Sequence, residues 1–297
     1  MPNIIALTSE YAPAKRRATF ITLMFIGFPM GAVIGAAVLA PVVSVHGWSI
    51  AFYVGGLLPL VLATILFFAL PESHAFLQAR QSLALSRETI PSKGSALVVQ
   101  LFQEHRAVAT ILIWITFLTN LLVLYSLVNW LPSILQRSGV PFERAILAIS
   151  FLNGGGVVGG LALSSAADRG DPYLTLAVSY LGAAVAVAVV GSLSNASILV
   201  LMGAISCAGF LVIGSQFCMQ ALAANYYPTL IRATGVGWAV GIGRIGSIVG
   251  PVLGGVLIAA QWKIENIFLA AAVPALIACI SVILLKLAIK DCGSRRR

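Results

Sequence analysis

Arg244 is the most chemically pointed residue of this 297-residue chain. It stands about ten positions into the unbroken apolar run 234–259, roughly 15 Å deep if that run is helical at 1.5 Å per residue. A charged side chain at the centre of a membrane helix costs ~2.5–3.5 kcal/mol on insertion scales and usually marks function. A guanidinium so placed can act as counter-ion to the carboxylate of a small acid, or to a buried acid that carries a proton. It could also snorkel toward the end of its run, or make a fixed hydrogen bond to a neighbouring helix. Three uncharged residues could accompany it: Asn120 and Tyr125 in the run 107–131, and Gln216 in the run 196–222. An amide can hold an acid or a hydroxyl, and an aromatic ring can stack on a flat solute. A plain core hydrogen bond would suit each of the three equally well.

Other chemistry is missing. Cys207, Cys218, Cys279 and Cys292 form no C-x-x-C pair, and the first three lie inside apolar runs, so they read as small packing residues. His46, His74 and His105 are scattered and offer no metal spacing. No phosphate-binding glycine loop, dinucleotide fingerprint or G-x-S-x-G elbow is present, so the sequence predicts no enzyme, no metal and no organic cofactor.

The elements that must position these residues follow from composition. The chain is 60% hydrophobic and 9% charged, with mean hydropathy +1.01. A soluble domain carries about 25% charged residues, so lipid rather than water must face most of this surface. Eight apolar stretches are long enough to cross a bilayer as helices: roughly 18–40, 49–70, 107–131, 144–165, 173–192, 196–222, 234–259 and 266–288. None contains Asp or Glu. The opening MPNIIALTS reads as the end of one further helix, and it lacks the basic start and cleavage site of a signal peptide.

The net charge of +9 does not call for nucleic acid, because the basic residues sit between apolar runs. If the side of Lys15, Arg16 and Arg17 is cytoplasmic, alternation also places Arg80, Arg87, Lys93, Arg106, Arg169, Arg232, Lys286, Lys290 and Arg295 to Arg297 there. Only Arg137, Arg144 and Lys263 fall outside. That is the positive-inside bias of an inner or plasma membrane protein, here with a cytoplasmic C-terminus.

One polar phrase occurs twice. EYAPAKRRAT (10–19) and NYYPTLIRAT (225–234) agree at Tyr11 and Tyr226, Pro13 and Pro228, Arg17 and Arg232, Ala18 and Ala233, Thr19 and Thr234. Gly31 and Gly246, and Gly35 and Gly250, keep the same register in the following helices. An even number of spans separates the copies, so both lie on one side of the membrane. This is the mark of a parallel duplication of a six-helix unit.

With these phrases the chain resembles the major facilitator superfamily. LPESHAFL (70–77) resembles the end of the sixth helix, AADRG (166–170) the second-half D-R motif, and GSIVGPVLGG (246–255) a recurrent glycine–proline spacing. Within it, TSEYAPAKRRAT, GFPMGAVIG (27–35), NWLPSIL (129–135) and YYPTLIRATGVGWAVGIGRIGSIVGP (226–251) resemble the aromatic acid:proton symporters. The resemblance implies an all-α membrane protein of the major facilitator fold, N-terminally truncated, with about eight full helices and the end of another. Residues 1–70 would be the remnant of the first half, 71–106 the cytoplasmic connection, 107–290 the second half and 291–297 a basic tail. It implies uptake of a small aromatic carboxylate by alternating access, with the proton as coupling ion, no cofactor, and a monomer in the bilayer. The acids that couple protons in that family lie in its first helix, which this chain does not match. Another facilitator of the same superfamily, such as an organic-acid carrier or a drug:proton antiporter, or a non-functional fragment, fits the same residues.

The remaining expectations concern motion. Glu10 could pair with Arg16 or Arg17 across its turn, and each elbow (Glu10 with Arg17; Arg232 in the second copy) could latch helices at the cytoplasmic end. Asn225 stands where Glu10 does, which should weaken the second latch. By resemblance, Asp168 and Arg169 would bridge neighbouring helices in one state only. Gly27, Gly31 and Gly35, and Gly246 and Gly250 with Pro251, should form small packing faces, and the 18–40 helix should pack on 144–165.

Overall fold

A computed structural model describes residues 2–47, 49–69, 98–103, 106–137, 139–193 and 196–294. The described residues form nine α-helices: α1 (Pro2–Tyr11), α2 (Arg17–His46), α3 (Ser49–Ala69), α4 (Ala107–Arg137), α5 (Phe142–Arg169), α6 (Pro172–Ser192), α7 (Ile198–Tyr226), α8 (Thr229–Ala259) and α9 (Ile264–Ser294). A single 3₁₀ turn, Ala14–Arg16, joins α1 to α2. Six of these helices, α4 to α9, contain a stretch long and apolar enough to cross a membrane. In α2 and α3 the described apolar stretches are the shorter segments Arg17–Phe28 and Phe52–Phe68. Helix is the only open-chain solution here, because every backbone N–H and C=O must be satisfied within its own segment in lipid.

Helix ends are set by local chemistry. Asp171 caps α6, accepting from the N–H groups of Tyr173 and Leu174, with Pro172 at the first position, where no N–H is needed. Gly47 and Gly139, just past α2 and α4, adopt φ of +79° and +83°, the left-handed conformation that ends helices. The helices outrun the apolar stretches, since hydrogen bonding continues through polar turns at the membrane surface. Arg232 therefore sits in the first turn of α8, and Asp168 and Arg169 in the last turn of α5, not in loops. The expected tail at 291–297 is likewise helical as far as Ser294. The LPESHAFL phrase and most of the expected 71–106 connection lie outside the described residues. Its end does not: Leu101 is fully buried, and its carbonyl accepts from the Thr110 hydroxyl.

Helix α4 packs on α8 and α9, α5 on α7, and α6 on α9 and α7, while α1 lies against α8, α2 and α7. Two apolar cores result. One, around Ile5, Ile21, Ile113, Phe117, Met219 and Tyr227, fills the end of the bundle that carries α1. The other, around Val123, Leu131, Leu152, Ile205 and Phe268, fills the opposite end. Large apolar side chains also point outward, such as Phe67, Phe68, Leu199 and Ile248. That distribution suits a molecule solvated by hydrocarbon.

Close helix approach explains several glycines of the second half. A Cβ on Gly246 would collide with the carbonyl oxygen of Leu118, one on Gly250 would lie 2.6 Å from that of Leu122, and one on Gly254 2.5 Å from the Trp130 ring. These positions seat α8 directly on α4, where Trp130 Nε1 donates to the Pro251 carbonyl at 2.7 Å. Gly155 and Gly159 of α5 similarly face the backbone of α7 at Ser206 and Phe210. The smooth face of α5 thus serves α7. Contact with α2 is made at Gly160, near Thr22, and by a hydrogen bond between Thr22 and Ser164. Gly27 and Gly31 meet nothing within 4 Å among the described residues, so they form no packing face there. The surroundings of Gly35 are outside the description.

Candidate functional site

The four residues singled out for solute binding come together as two pairs. Arg244 stands midway along the 31-residue α8, and its Nη1 donates to the Tyr125 hydroxyl of α4 at 3.1 Å. The opposite face of α8 is buried against α4, so Arg244 occupies its open side. Among the described residues the guanidinium spends one of its five donors, on Tyr125, and four remain for a carboxylate. Asn120 and Gln216 form the second pair, with Asn120 Nδ2 donating to Gln216 Oε1 between α4 and α7. Both are buried, at 2% and 6% exposure, so this pair is a closed helix–helix clamp in the present conformation. Five residues separate Asn120 from Tyr125, about 500° of helical rotation, so the two pairs face different sides of α4.

Gln220 was not foreseen. It lies one turn beyond Gln216 on the same face of α7, is buried, and its Oε1 has no hydrogen-bond partner among the described residues. Ser215 Oγ and Trp114 Nε1 are also buried without hydrogen-bond partners among the described residues. The signal available in the sequence was the i, i+4 spacing of two glutamines in an otherwise apolar run. Trp114 stacks on Trp238 of α8, with ring centroids 5.9 Å apart.

At the α1 end, the two copies of the repeated phrase face one another and exchange partners. Glu10 does not pair with Arg16 or Arg17. Its Oε1 accepts from Arg232 Nη1 at 3.2 Å, with both side chains at or below 10% exposure. Arg17 Nη1 donates to Asn225 Oδ1 at 2.9 Å. The first residue of each copy therefore binds the eighth residue of the other. A two-fold relation between the elbows produces this crossing, whereas pairing within a copy would leave each elbow isolated.

Asp168 does not reach a guanidinium. Its carboxylate accepts from the backbone N–H groups of Ala18 and Thr19 at 2.9 Å each, and from the Thr19 hydroxyl at 2.7 Å. The first N–H groups of a helix have no intrahelical acceptor and carry the positive end of its dipole, so a carboxylate from α5 is well placed there. Arg169 is exposed and makes no ion pair among the described residues. A second cross-link, Lys286 Nζ to Asp171 Oδ2 at 2.6 Å, ties α9 to the start of α6. It holds the Asp171 carboxyl below the usual carboxylate range, despite partial desolvation.

An all-helical membrane bundle with facing, duplicated elbows and a cation midway along a helix defines a multi-pass solute carrier rather than an enzyme. The profile of the Major Facilitator Superfamily matches residues 1–240, and the chain belongs to that family. Among characterised relatives, it is similar to the gallate transporter of Pseudomonas putida, at 35% identity over 95% of this chain and 67% of the relative. It is also similar to the 4-hydroxybenzoate transporter PcaK of Acinetobacter baylyi (35%, over 95% and 66%) and to the benzoate transport protein of the same organism (34%, over 96% and 65%). The chain thus spans about two thirds of the length of these relatives. The proton:xylose symporter XylE matches in fold, with TM-score 0.63 and 17% identity over 93% of this chain and 65% of that one.

Proposed function

We propose that this transporter carries small aromatic carboxylates of the benzoate and hydroxybenzoate type, driven by protons, by rocking between two states. The observation that carries the reading is Arg244, held by Tyr125 midway along α8 with most of its donors free. The names of the relatives support the choice of solute, since those proteins are described as carriers of gallate, 4-hydroxybenzoate and benzoate. A lone guanidinium deep in lipid is costly unless an anion offsets it. The Tyr125 ring beside it offers a flat face for an aromatic acid.

In this reading Arg244 binds the carboxylate, while the Asn120–Gln216 clamp opens as the helices move. The crossed elbow pairs and the seat of Asp168 on α2 hold one end shut in one of the two states. That end, rich in lysine and arginine, is the cytoplasmic face, and the C-terminus lies there too. The membrane is the cell or inner membrane, and the monomer is the working unit.

The test is uptake of radiolabelled 4-hydroxybenzoate by cells producing the protein, with and without a proton uncoupler. Arg244→Met should lose uptake at least tenfold at unchanged membrane abundance, and uncoupler should collapse the wild-type signal. Uptake within twofold of wild type in Arg244→Met removes the assigned role. Uptake of aliphatic acids alone would move the protein to the organic-acid carriers.

A further inference from the structure

Helices α8 and α9 are consecutive, yet they scarcely touch, and each packs instead on α4. After the last turn of α8, Gln261 takes a φ of +57°, which folds the chain back so that the Trp262 N–H donates to the Leu257 carbonyl at 3.1 Å. Beyond that turn a crevice of about 260 Å³ lies between the two helices, with α4 as its floor. The floor runs from Leu122 to Ile134, about 18 Å at 1.5 Å per residue, so the crevice is long and follows the helix axes. Its lining is apolar apart from the Ser126 hydroxyl and the Trp130 indole, and Trp130 Nε1 is already bonded to the Pro251 carbonyl. No charged side chain lines it among the described residues. Leu253 and Val256 line it and are exposed, so it opens on the surface that hydrocarbon would solvate. Two cations stand at the end where α8 turns into α9. Lys263 follows Trp262, and its carbonyl accepts from the N–H of Ile267, which lines the crevice. Arg137 ends α4 about one turn past Ile134. Both are exposed, and neither makes an ion pair among the described residues. Glu265 lies in the first turn of α9, where the positive end of the helix offsets its charge.

We infer that this crevice is a phospholipid site, in which one acyl chain lies along α4 between α8 and α9 and the lipid phosphate meets Lys263 and Arg137 beside the α8–α9 turn. A carboxylate or a metal ion would lose its hydration inside the crevice and find no partner there. A hydrocarbon chain has no hydration to lose, and it gives the lining side chains the neighbours that an empty space denies them. Lysine and arginine next to a tryptophan at helix ends suit the level of phospholipid head groups. The seated chain would also bridge α8 and α9, which make little contact of their own. The site is separate from Arg244 and stands whatever solute the transporter carries.

The experiment is native mass spectrometry of the purified full chain in detergent, titrated with dioleoylphosphatidylglycerol, which counts the lipids retained per chain and gives their Kd. Ala271 lines the crevice, so Ala271→Phe puts a ring into it. That variant should weaken the tightest-bound lipid about tenfold, with a Tm in lipid-free detergent no lower than that of the unaltered chain. Ala271→Leu is a smaller filling that should weaken the same lipid about threefold, and it serves as the test if the larger ring disturbs folding. Lys263→Gln combined with Arg137→Gln leaves the crevice open and should also weaken the lipid about threefold. Dioleoylglycerol, which has the same chains and no phosphate, should not displace it. Unaltered affinity in the filled variants overturns the proposal, and so does unaltered affinity in the Lys263→Gln, Arg137→Gln chain. Displacement by an equal concentration of dioleoylglycerol overturns it as well, since the crevice would then take any hydrocarbon chain.

Discussion

Removing the Glu10 carboxylate should destabilise the fold far more than removing its counterpart Asn225. In Glu10→Gln the guanidinium of Arg232 loses the one carboxylate it pairs with among the described residues, while remaining about nine-tenths buried. Breaking a buried ion pair from one side costs ~3–5 kcal/mol, because the other charge is stranded. The contact here is single-pronged at 3.2 Å and near a helix end, so the lower limit applies, about 3 kcal/mol. At roughly 2–4 °C per kcal/mol for a chain of this order, Tm should fall by about 6–12 °C. Asn225→Ala removes one hydrogen bond from the less buried Arg17, and should cost ~1 kcal/mol or a little more. The assay is thermal unfolding in detergent, followed by native-state fluorescence and aggregation. A double-mutant cycle with Arg232→Met then isolates the pair. If the pair is real, Glu10→Gln combined with Arg232→Met should be more stable than the sum of the single losses predicts, by at least ~1 kcal/mol. A fall below 2 °C in Glu10→Gln, or additive single effects, would refute the crossed pairing.

Three further outcomes follow from the packing. Gly246→Ala places a methyl group against the Leu118 backbone carbonyl, which cannot rotate away, and should cost about 1–3 kcal/mol in thermal unfolding; Gly241→Ala, with nothing within 4 Å, should leave Tm unchanged. Asp168→Ala strips three acceptor contacts from the start of α2 and should cost about 1–2 kcal/mol, read by unfolding and by faster hydrogen exchange at Ala18 and Thr19. The Asp171 carboxyl has a lowered folded-state pKa, so its pairing with Lys286 stabilises the protein above the unfolded carboxylate value. That contribution fades as pH falls below ~4, through the depressed folded value. Both side chains are more than a third exposed, so the effect should be small, ~0.2–1 kcal/mol, and Lys286→Met should flatten the decline of Tm below that pH.

Much of the architecture was legible from hydropathy because lipid imposes one rule on every span. A run such as 266–288 must be helical wherever it packs. The repeat was legible too, since Arg17 and Arg232 sit at the same register of their phrases. Partners were less so. Glu10 has Arg16 and Arg17 nearby in sequence, yet it binds Arg232, 222 residues away. Sequence distance favours a local pair, but the chain reverses direction at each elbow and the two-fold relation brings the opposite copy closer. Asp168 looked like half of an arginine bridge. Only the packing of α5 against α2 shows that the nearest unsatisfied positive group is a helix end. The rows Gly27–Gly31 and Gly246–Gly250 have identical spacing, but only the second meets a neighbouring backbone among the described residues.

By itself, then, the sequence determined the solvent, most of the helical spans, the duplicated elbow and the presence of Arg244 midway along an apolar helix. Each depends on composition or on spacing along a single helix, where residue number converts directly into depth and face. The tertiary structure decided which side chains meet: Arg244 with Tyr125, Asn120 with Gln216, Glu10 with Arg232, Arg17 with Asn225. Those pairings depend on how separate helices rotate and slide against one another, and no periodicity within one helix carries that information.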